Sequence, residues 1–341
     1  MATMMNQKYL DSSASWRTRN DSGAAASAAE MKATREGFGL GLVKAGQENE
    51  KVVGLCCDLT DSVKMSDFKK EFPARFFEIG VAEQNMVGVA AGLALAGFIP
   101  FAASYAVFSP GRSWDQIRVS VCYSNLNVKI VGAHTGLSVG PDGATHQALE
   151  DIAITRVLPN MTVVAPIDAV QAQQATLALA RHIGPAYLRL TREATPVIMA
   201  EEATFKIGVA QILAEGADLT FVGCGPILDL ALQASKKLVE KNISACVINM
   251  HTIKPLDEMA LSAAAKTGLI ITLEEHQIIG GLGSAVAEFV TEHKPVPVLR
   301  FGIQDSFAES GPPEALWQKY GLTLDNLLAL VEKGINLKLK T

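Results

Sequence analysis

The run Val87-Gly-Val-Ala-Ala-Gly-Leu-Ala-Leu-Ala-Gly97-Phe-Ile-Pro100-Phe-Ala-Ala-Ser-Tyr-Ala-Val-Phe108 contains no charged side chain. Its length invites a transmembrane reading, because about 20 apolar residues cross a bilayer. Gly97 and Pro100 break it, however, and a strand-like stretch, Phe98–Ser104, follows the break. A buried helix leading into a buried parallel strand accounts for the run better. That pair is the repeating unit of an α/β sheet, and the rest of the chain continues it.

Upstream, Met31–Ala45 reads as a helix, Val52–Cys57 as a strand and Glu83–Ala96 as a helix. Downstream, Val128–Ala133, Met161–Ala165 and Ala186–Leu190 read as strands, with helices at Ala148–Val157 and Ala169–His182. Thr195–Lys206, with Pro196 and the acidic pair Glu201-Glu202, reads as a linker. A second unit follows, with strands at Leu219–Val222, Ser244–Asn249, Leu269–Leu273 and Val298–Phe301. Its helices are Ile227–Lys241, Asp257–Ala265 and Gly283–Thr291, and a surface helix is expected at Leu322–Lys333. The rhythm predicts parallel sheets with helices on both faces. Residues 1–29, rich in Ser and Ala without a continuous apolar stretch, read as a flexible tail rather than a signal peptide.

With 341 residues, 49% hydrophobic and 19% charged, the chain can build two cores. A net charge of −5 provides no basic footprint for nucleic acid. The five cysteines show neither C-x-x-C nor zinc spacing, which suits buried, reduced thiols in a cytoplasmic protein.

Three motifs are decoys. Gly136-Leu-Ser138-Val-Gly140 matches the hydrolase nucleophile pattern, but Gly140-Pro-Asp142-Gly prolongs a loop where that chemistry needs a helix. Gly280-Gly-Leu-Gly283 follows its strand too late for a dinucleotide turn and reads as close packing at a helix start. His146 and Glu150 could share a helix face, but two ligands without a third are weak grounds for a metal.

The chemistry gathers in loops after successive strands, where open α/β sheets build their sites. Asp58-Leu-Thr-Asp-Ser62, Tyr105-Ala-Val-Phe108-Ser-Pro-Gly111-Arg112 and His134-Thr-Gly-Leu-Ser-Val-Gly-Pro-Asp142-Gly-Ala-Thr-His146 are three such loops. Glu83 at the head of an apolar helix and Arg192 after the strand Ala186–Leu190 join them. By position alone, Glu83 is equally a helix-dipole carboxylate and a catalytic group.

These residues resemble the C-terminal portion of transketolase over roughly residues 30–330. Arg35, Asp58, Gly-Val-Ala-Glu83-Gln-Asn-Met, Phe108, Gly140-Pro-Asp142-Gly-Ala-Thr-His146-Gln, Arg156-Val-Leu-Pro-Asn-Met and Leu190-Thr-Arg192 carry the resemblance to its pyrimidine-binding domain. Thr272-Leu-Glu-Glu-His276 and Gly280-Gly-Leu-Gly283 carry the resemblance to its C-terminal domain. The resemblance implies two three-layer αβα domains, at 30–197 and 198–341, the first with a mostly parallel sheet. The Gly-Asp-Gly…Asn metal motif and the diphosphate-binding domain of a full transketolase are missing. The chain therefore looks like the small subunit of a split transketolase. The implied partner is an N-terminal subunit in an α2β2 heterotetramer, which would hold the diphosphate and Mg²⁺ of thiamine diphosphate.

In that family a glutamate hydrogen-bonds N1′ of the aminopyrimidine and favours its imino tautomer, which takes the proton from the thiazolium. Glu83 matches that glutamate, and Met86, Val87 and Val89 would desolvate it. Phe108 matches the aromatic that stacks on the pyrimidine and Tyr105 a second wall; Gly111 stands where the family has another aromatic. His134 and His146 match histidines that flank the ketose and shuttle protons, and Asp142 a residue that holds an acceptor hydroxyl. Arg35, Ser62 and Arg192 match a sugar-phosphate clamp. Asp58 either supports its loop or contacts substrate. The rivals are 1-deoxyxylulose-5-phosphate synthase, which normally lacks His134, the β subunit of a 2-oxoacid dehydrogenase, and a non-catalytic assembly subunit.

Overall fold

In the computed structural model, which describes residues 4, 5 and 30–338, the first sheet has seven strands. In chain order the first unit comprises β1 (Met31–Lys32), α1 (Thr34–Glu48), β2 (Val52–Cys56), α2 (Ser66–Glu71), β3 (Phe76–Glu78), α3 (Glu83–Leu95) and β4 (Ile99–Tyr105). A short helix, Trp114–Gln116, then widens into the π-helix Ile117–Tyr123. After these come β5 (Lys129–Ala133), α4 (Asp151–Arg156), β6 (Thr162–Val164), α5 (Ala169–Arg181), β7 (Ala186–Arg189) and β8 (Thr195–Pro196). The opening run is thus α3 and β4, a helix and a strand buried up to its last residue, Tyr105, that pairs in parallel with β2 and β5. Among the described residues no helix is long and apolar enough to cross a membrane.

The second unit runs β9 (Gln211–Ala214), β10 (Leu219–Gly223), α6 (Leu228–Val239), β11 (Ala245–Asn249), β12 (Thr252–Lys254), α7 (Glu258–Ala264), β13 (Ile270–Gln277), α8 (Leu282–His293), β14 (Val298–Ile303), α9 (Pro313–Lys319) and α10 (Leu324–Lys338). Its sheet has the order β14-β13-β10-β11-β9, parallel except for β9. The larger sheet has the order β12-β6-β7-β5-β4-β2-β3. Its edge strand β12 comes from the second unit and pairs antiparallel with β6.

Both sheets are covered on both faces. On the first, α1 and α5 enclose Phe38, Leu42, Ala172 and Leu179, while α3 seals the other side with Met86, Val87 and Ala90. A Cβ at Gly37 would lie 1.9 Å from the Ala169 carbonyl oxygen, so only glycine lets α1 approach α5 this closely. On the second, α6 and α10 cover one face and α7 and α8 the other. One apolar cluster runs from Met86 and Tyr187 into Val222, Ile248 and Leu282, so the units share core. Within the shared region, buried Asp151 accepts from Arg189 Nε at 2.8 Å and Tyr187 Oη at 2.7 Å, and Arg189 Nη2 donates to the Glu275 carbonyl at 2.9 Å.

Several expectations need adjustment. The stretch read as a linker begins as a strand: β8 pairs with β1. The amides of Ile198 and Met199 both donate to buried Asp168, at 2.7 and 2.6 Å. The same carboxylate caps α5 through Gln171 N at 2.8 Å, and burial pushes it up to about 6. Of the expected flexible tail, Met5 is buried and bridges Met199, and the remainder lies outside the described residues apart from Met4. The helix expected from Met31 begins only at Thr34, with Met31–Lys32 forming β1, and the short elements α2, β3, β9, β12, the Trp114–Tyr123 helix and α9 lie outside the expected set.

Candidate active site

The site lies at the carboxyl ends of β2, β4, β5 and β7. Tyr105 ends β4 and Phe108 follows in a turn closed by Ser109 N donating to the Tyr105 carbonyl at 2.8 Å. His134 follows β5 directly in a left-handed conformation (φ 56°), which turns its ring back over Tyr105. The two rings stack at 3.8 Å between centroids. His146 stands edge-on to Phe108, 5.4 Å away, and to Tyr105, 6.2 Å away. Four rings predicted from sequence therefore form one box.

Glu83 is the first residue of α3 and only 1% exposed. Its Oε2 accepts from Arg112 Nη1 at 2.8 Å, and that guanidinium also lies 4.9 Å from the centre of the Phe108 ring. Arg112 thus bridges the proposed acid/base and the proposed stacking aromatic. In the sequence, Arg112 stands in its loop without an assigned role. Only its position four residues after Phe108 hinted at one. At Gly111 a Cβ would lie 2.2 Å from the Val107 carbonyl oxygen, so this backbone cannot carry the aromatic the family has there.

Arg35 reaches the site from the start of α1. Its Nη1 donates to the Ser62 carbonyl at 2.9 Å and lies 3.3 Å from His134 Nε2. Arginine only donates, so Nε2 is the acceptor and the His134 proton resides on Nδ1. Burial, then Arg35, Arg192 and His146, hold His134 down to about 3. Arg192 donates to the Val139 carbonyl at 2.6 Å and pairs with Asp142 at 3.6 Å. Burial and the neighbouring Arg192 lower Arg35 below its ordinary value. The residues just before them are tied together, the Thr191 amide donating to the Thr34 side-chain Oγ1 at 2.7 Å. Arg192 Nε also lies 3.8 Å from Glu193 Oε1, so two mutually repelling guanidiniums share this edge with the carboxylates of Asp142 and Glu193. Ser62 presents its carbonyl to Arg35, so its contribution here is through the backbone. Asp58 is exposed, and its amide donates to Glu78 at 2.7 Å, which anchors its loop.

The decoys resolve physically. Ser138 is buried in a 3-10 turn, its amide donating to Glu275 Oε1 at 2.7 Å, so the loop is bolted to the second unit. Trp317 Nε1 donates to the same oxygen at 3.1 Å. Glu275 lies in the quoted Thr272–His276 motif and Trp317 in no motif; their joint role here was not legible because the partners are 137 and 42 residues apart. The Gly280–Gly283 turn binds an internal anion: Leu282 N and Gly283 N donate to Glu274 at 2.7 and 2.8 Å. Among the described residues no group of three or more His, Cys, Asp or Glu side chains could hold a metal. All five cysteines are free.

A doubly covered parallel sheet thus carries a buried carboxylate, stacked rings and two guanidiniums at its strand ends, where open α/β sheets bind their ligands. The transketolase pyrimidine-binding domain model matches residues 30–197 and the transketolase C-terminal domain model matches residues 208–327. A Methanocaldococcus jannaschii protein named as a transketolase C-terminal section is 46% identical, over 85% of this chain and 92% of its own. A Clostridium sp. protein named as a 6-deoxy-6-sulfo-D-fructose transketolase subunit is 42% identical, over 84% and 89%. A solved structure titled as a split-gene transketolase, inactive beta4 tetramer, superimposes with a TM-score of 0.85 at 48% identity, covering 90% of this chain and 99% of that one. The chain belongs to the transketolase family, and it corresponds to the C-terminal section of such an enzyme.

Proposed function

We propose that this chain is the pyrimidine-side subunit of a two-chain transketolase, which moves a two-carbon ketol unit from a ketose phosphate to an aldose phosphate. The observation that carries the reading is the buried Glu83 carboxylate beside Phe108, on the edge that also holds His134, His146, Arg35 and Arg192. Those residues fit thiamine diphosphate's aminopyrimidine: a carboxylate at 1% exposure for N1′ and an aromatic face beside it. When bound, the cofactor supplies the nucleophilic carbon that attacks the ketose carbonyl.

This chain's residues do the rest. Glu83 exchanges a proton with N1′, while Phe108 and Tyr105 hold the ring plane. His134, kept neutral with Nε2 taken by Arg35, donates from Nδ1 to a sugar hydroxyl, and half-buried His146 offers its ring to the same sugar. Asp142 binds the acceptor's hydroxyl, and Arg35 and Arg192 take the terminal phosphate. The diphosphate, with Mg²⁺, belongs to an N-terminal partner subunit in an α2β2 assembly. The outer face of α3 supports this reading: Gly88 and Gly92 have open space beyond them, Leu95 is 75% exposed, and Val81, in the bend before the helix, is 72% exposed. The Clostridium relative, named for a sulfosugar, bears on the anionic end of the substrate, since a guanidinium pair suits sulfonate as well as phosphate.

The chain alone should show no ketol transfer, and addition of the partner, thiamine diphosphate and Mg²⁺ should restore it. Turnover by the isolated chain would overturn the two-chain reading. A panel of ketose phosphates and sulfonates then identifies the donor.

A further inference from the structure

The Glu83–Arg112 pair makes two contacts with one group. The guanidinium hydrogen-bonds Oε2 at 2.8 Å and covers the Phe108 ring at 4.9 Å. These are the same two surfaces, a carboxylate edge and an aromatic face, that a planar aminopyrimidine would use. Guanidinium and aminopyrimidine are both flat, both rich in N–H donors, and both stack on aromatic rings. Glu83 is 1% exposed, whereas the Arg112 side chain is 51% exposed. A buried carboxylate without a partner is costly, so the chain gains by keeping one in place when no other is present. A half-exposed arginine can leave cheaply by turning its head into water.

We infer that Arg112 is a placeholder, a side chain that occupies the pyrimidine seat in the free subunit and is displaced when the cofactor's ring arrives. The inference rests on the reading of Glu83 as the cofactor's partner. An arginine offers only donors, so it holds Glu83 as an acceptor, while proton exchange with N1′ requires Glu83 to give a proton as well as take one. Arg112 and the ring therefore compete for Oε2 and for the face of Phe108. Gly111 is part of the device. No side chain stands at this position, because a Cβ would lie 2.2 Å from the Val107 carbonyl oxygen, and the adjacent Arg112 lies over the Phe108 ring.

The test uses the isolated full chain and the pyrimidine moiety alone, 4-amino-5-hydroxymethyl-2-methylpyrimidine, titrated by calorimetry and followed by protein NMR. Arg112→Ala should bind it about tenfold more tightly than the wild type, the scale of one charged hydrogen bond removed from competition. Arg112→Gln should fall between them, and Arg112→Ala combined with Glu83→Gln should lose the gain. In the wild type, the moiety should shift the Arg112 guanidinium Nε–H resonance towards its solvent-exposed position. Equal or weaker binding by Arg112→Ala overturns the placeholder; if Glu83→Gln still weakens binding, the cofactor reading stands without it. Binding that ignores Glu83 in every variant overturns both.

Discussion

Each half of the molecule buries a glutamate at a helix start, and the two are finished differently. In the second unit Glu274 is fully buried and receives two backbone amides from the first turn of α8, with His276 Nδ1 3.7 Å away. A Cβ at Gly281 would lie 1.9 Å from its Oε2, so no space remains for a ligand. In the first unit Glu83 is equally buried, but its one hydrogen-bonding partner among the described residues is the half-exposed Arg112. Burial and a helix terminus therefore do not separate a structural carboxylate from a reactive one. What separates them is whether the fold itself satisfies the group.

Substitutions can break or sharpen this contrast. The largest effect is expected at Glu83: in the partner-reconstituted enzyme, Glu83→Ala should lower kcat by about 10²–10⁴-fold, the range for a positioned acid/base. Its unfolding midpoint in urea should hardly move. Glu274→Ala should reverse the pattern, lowering stability by about 2–3 kcal/mol because two buried amides lose their acceptor. Urea denaturation of the isolated chain measures it, and a stability unchanged from wild type would mean that the α8 turn is satisfied some other way. Arg35→Ala and Arg192→Ala should each raise the KM for a phosphorylated donor by about tenfold, and leave the KM for an unphosphorylated one unchanged.

The smallest expected effect is at His134. Its folded value of about 3 lies below the ordinary 6.5, so the folded state resists its protonation. For a depressed group, the contribution to folding is complete above about 6.5 and is lost as pH falls towards about 3. Between pH 8 and 5 its imidazole NMR signal should therefore show no titration step. A step near 6.5 would place His134 in water.

The alternation of helices and strands, and the ring-bearing loops, were legible in the chain because they depend on local periodicity and on motif spacing. The seven-residue β4 was visible as a buried run, whereas three-residue β3 and β12 carry too few side chains for a pattern. The strand β12 also takes its place from a partner strand in the other unit, which no local reading supplies. Arg112 stood in the quoted loop without a role because its partner is 29 residues away.

By itself, then, the sequence determined two covered parallel sheets through side-chain period and loop position, and pointed to Glu83, Tyr105, Phe108, His134 and His146 through its resemblance to a family. Only the tertiary structure decided which buried glutamate is sealed. It placed two amides on Glu274 and a half-exposed guanidinium on Glu83, and contacts of that kind depend on how distant segments pack.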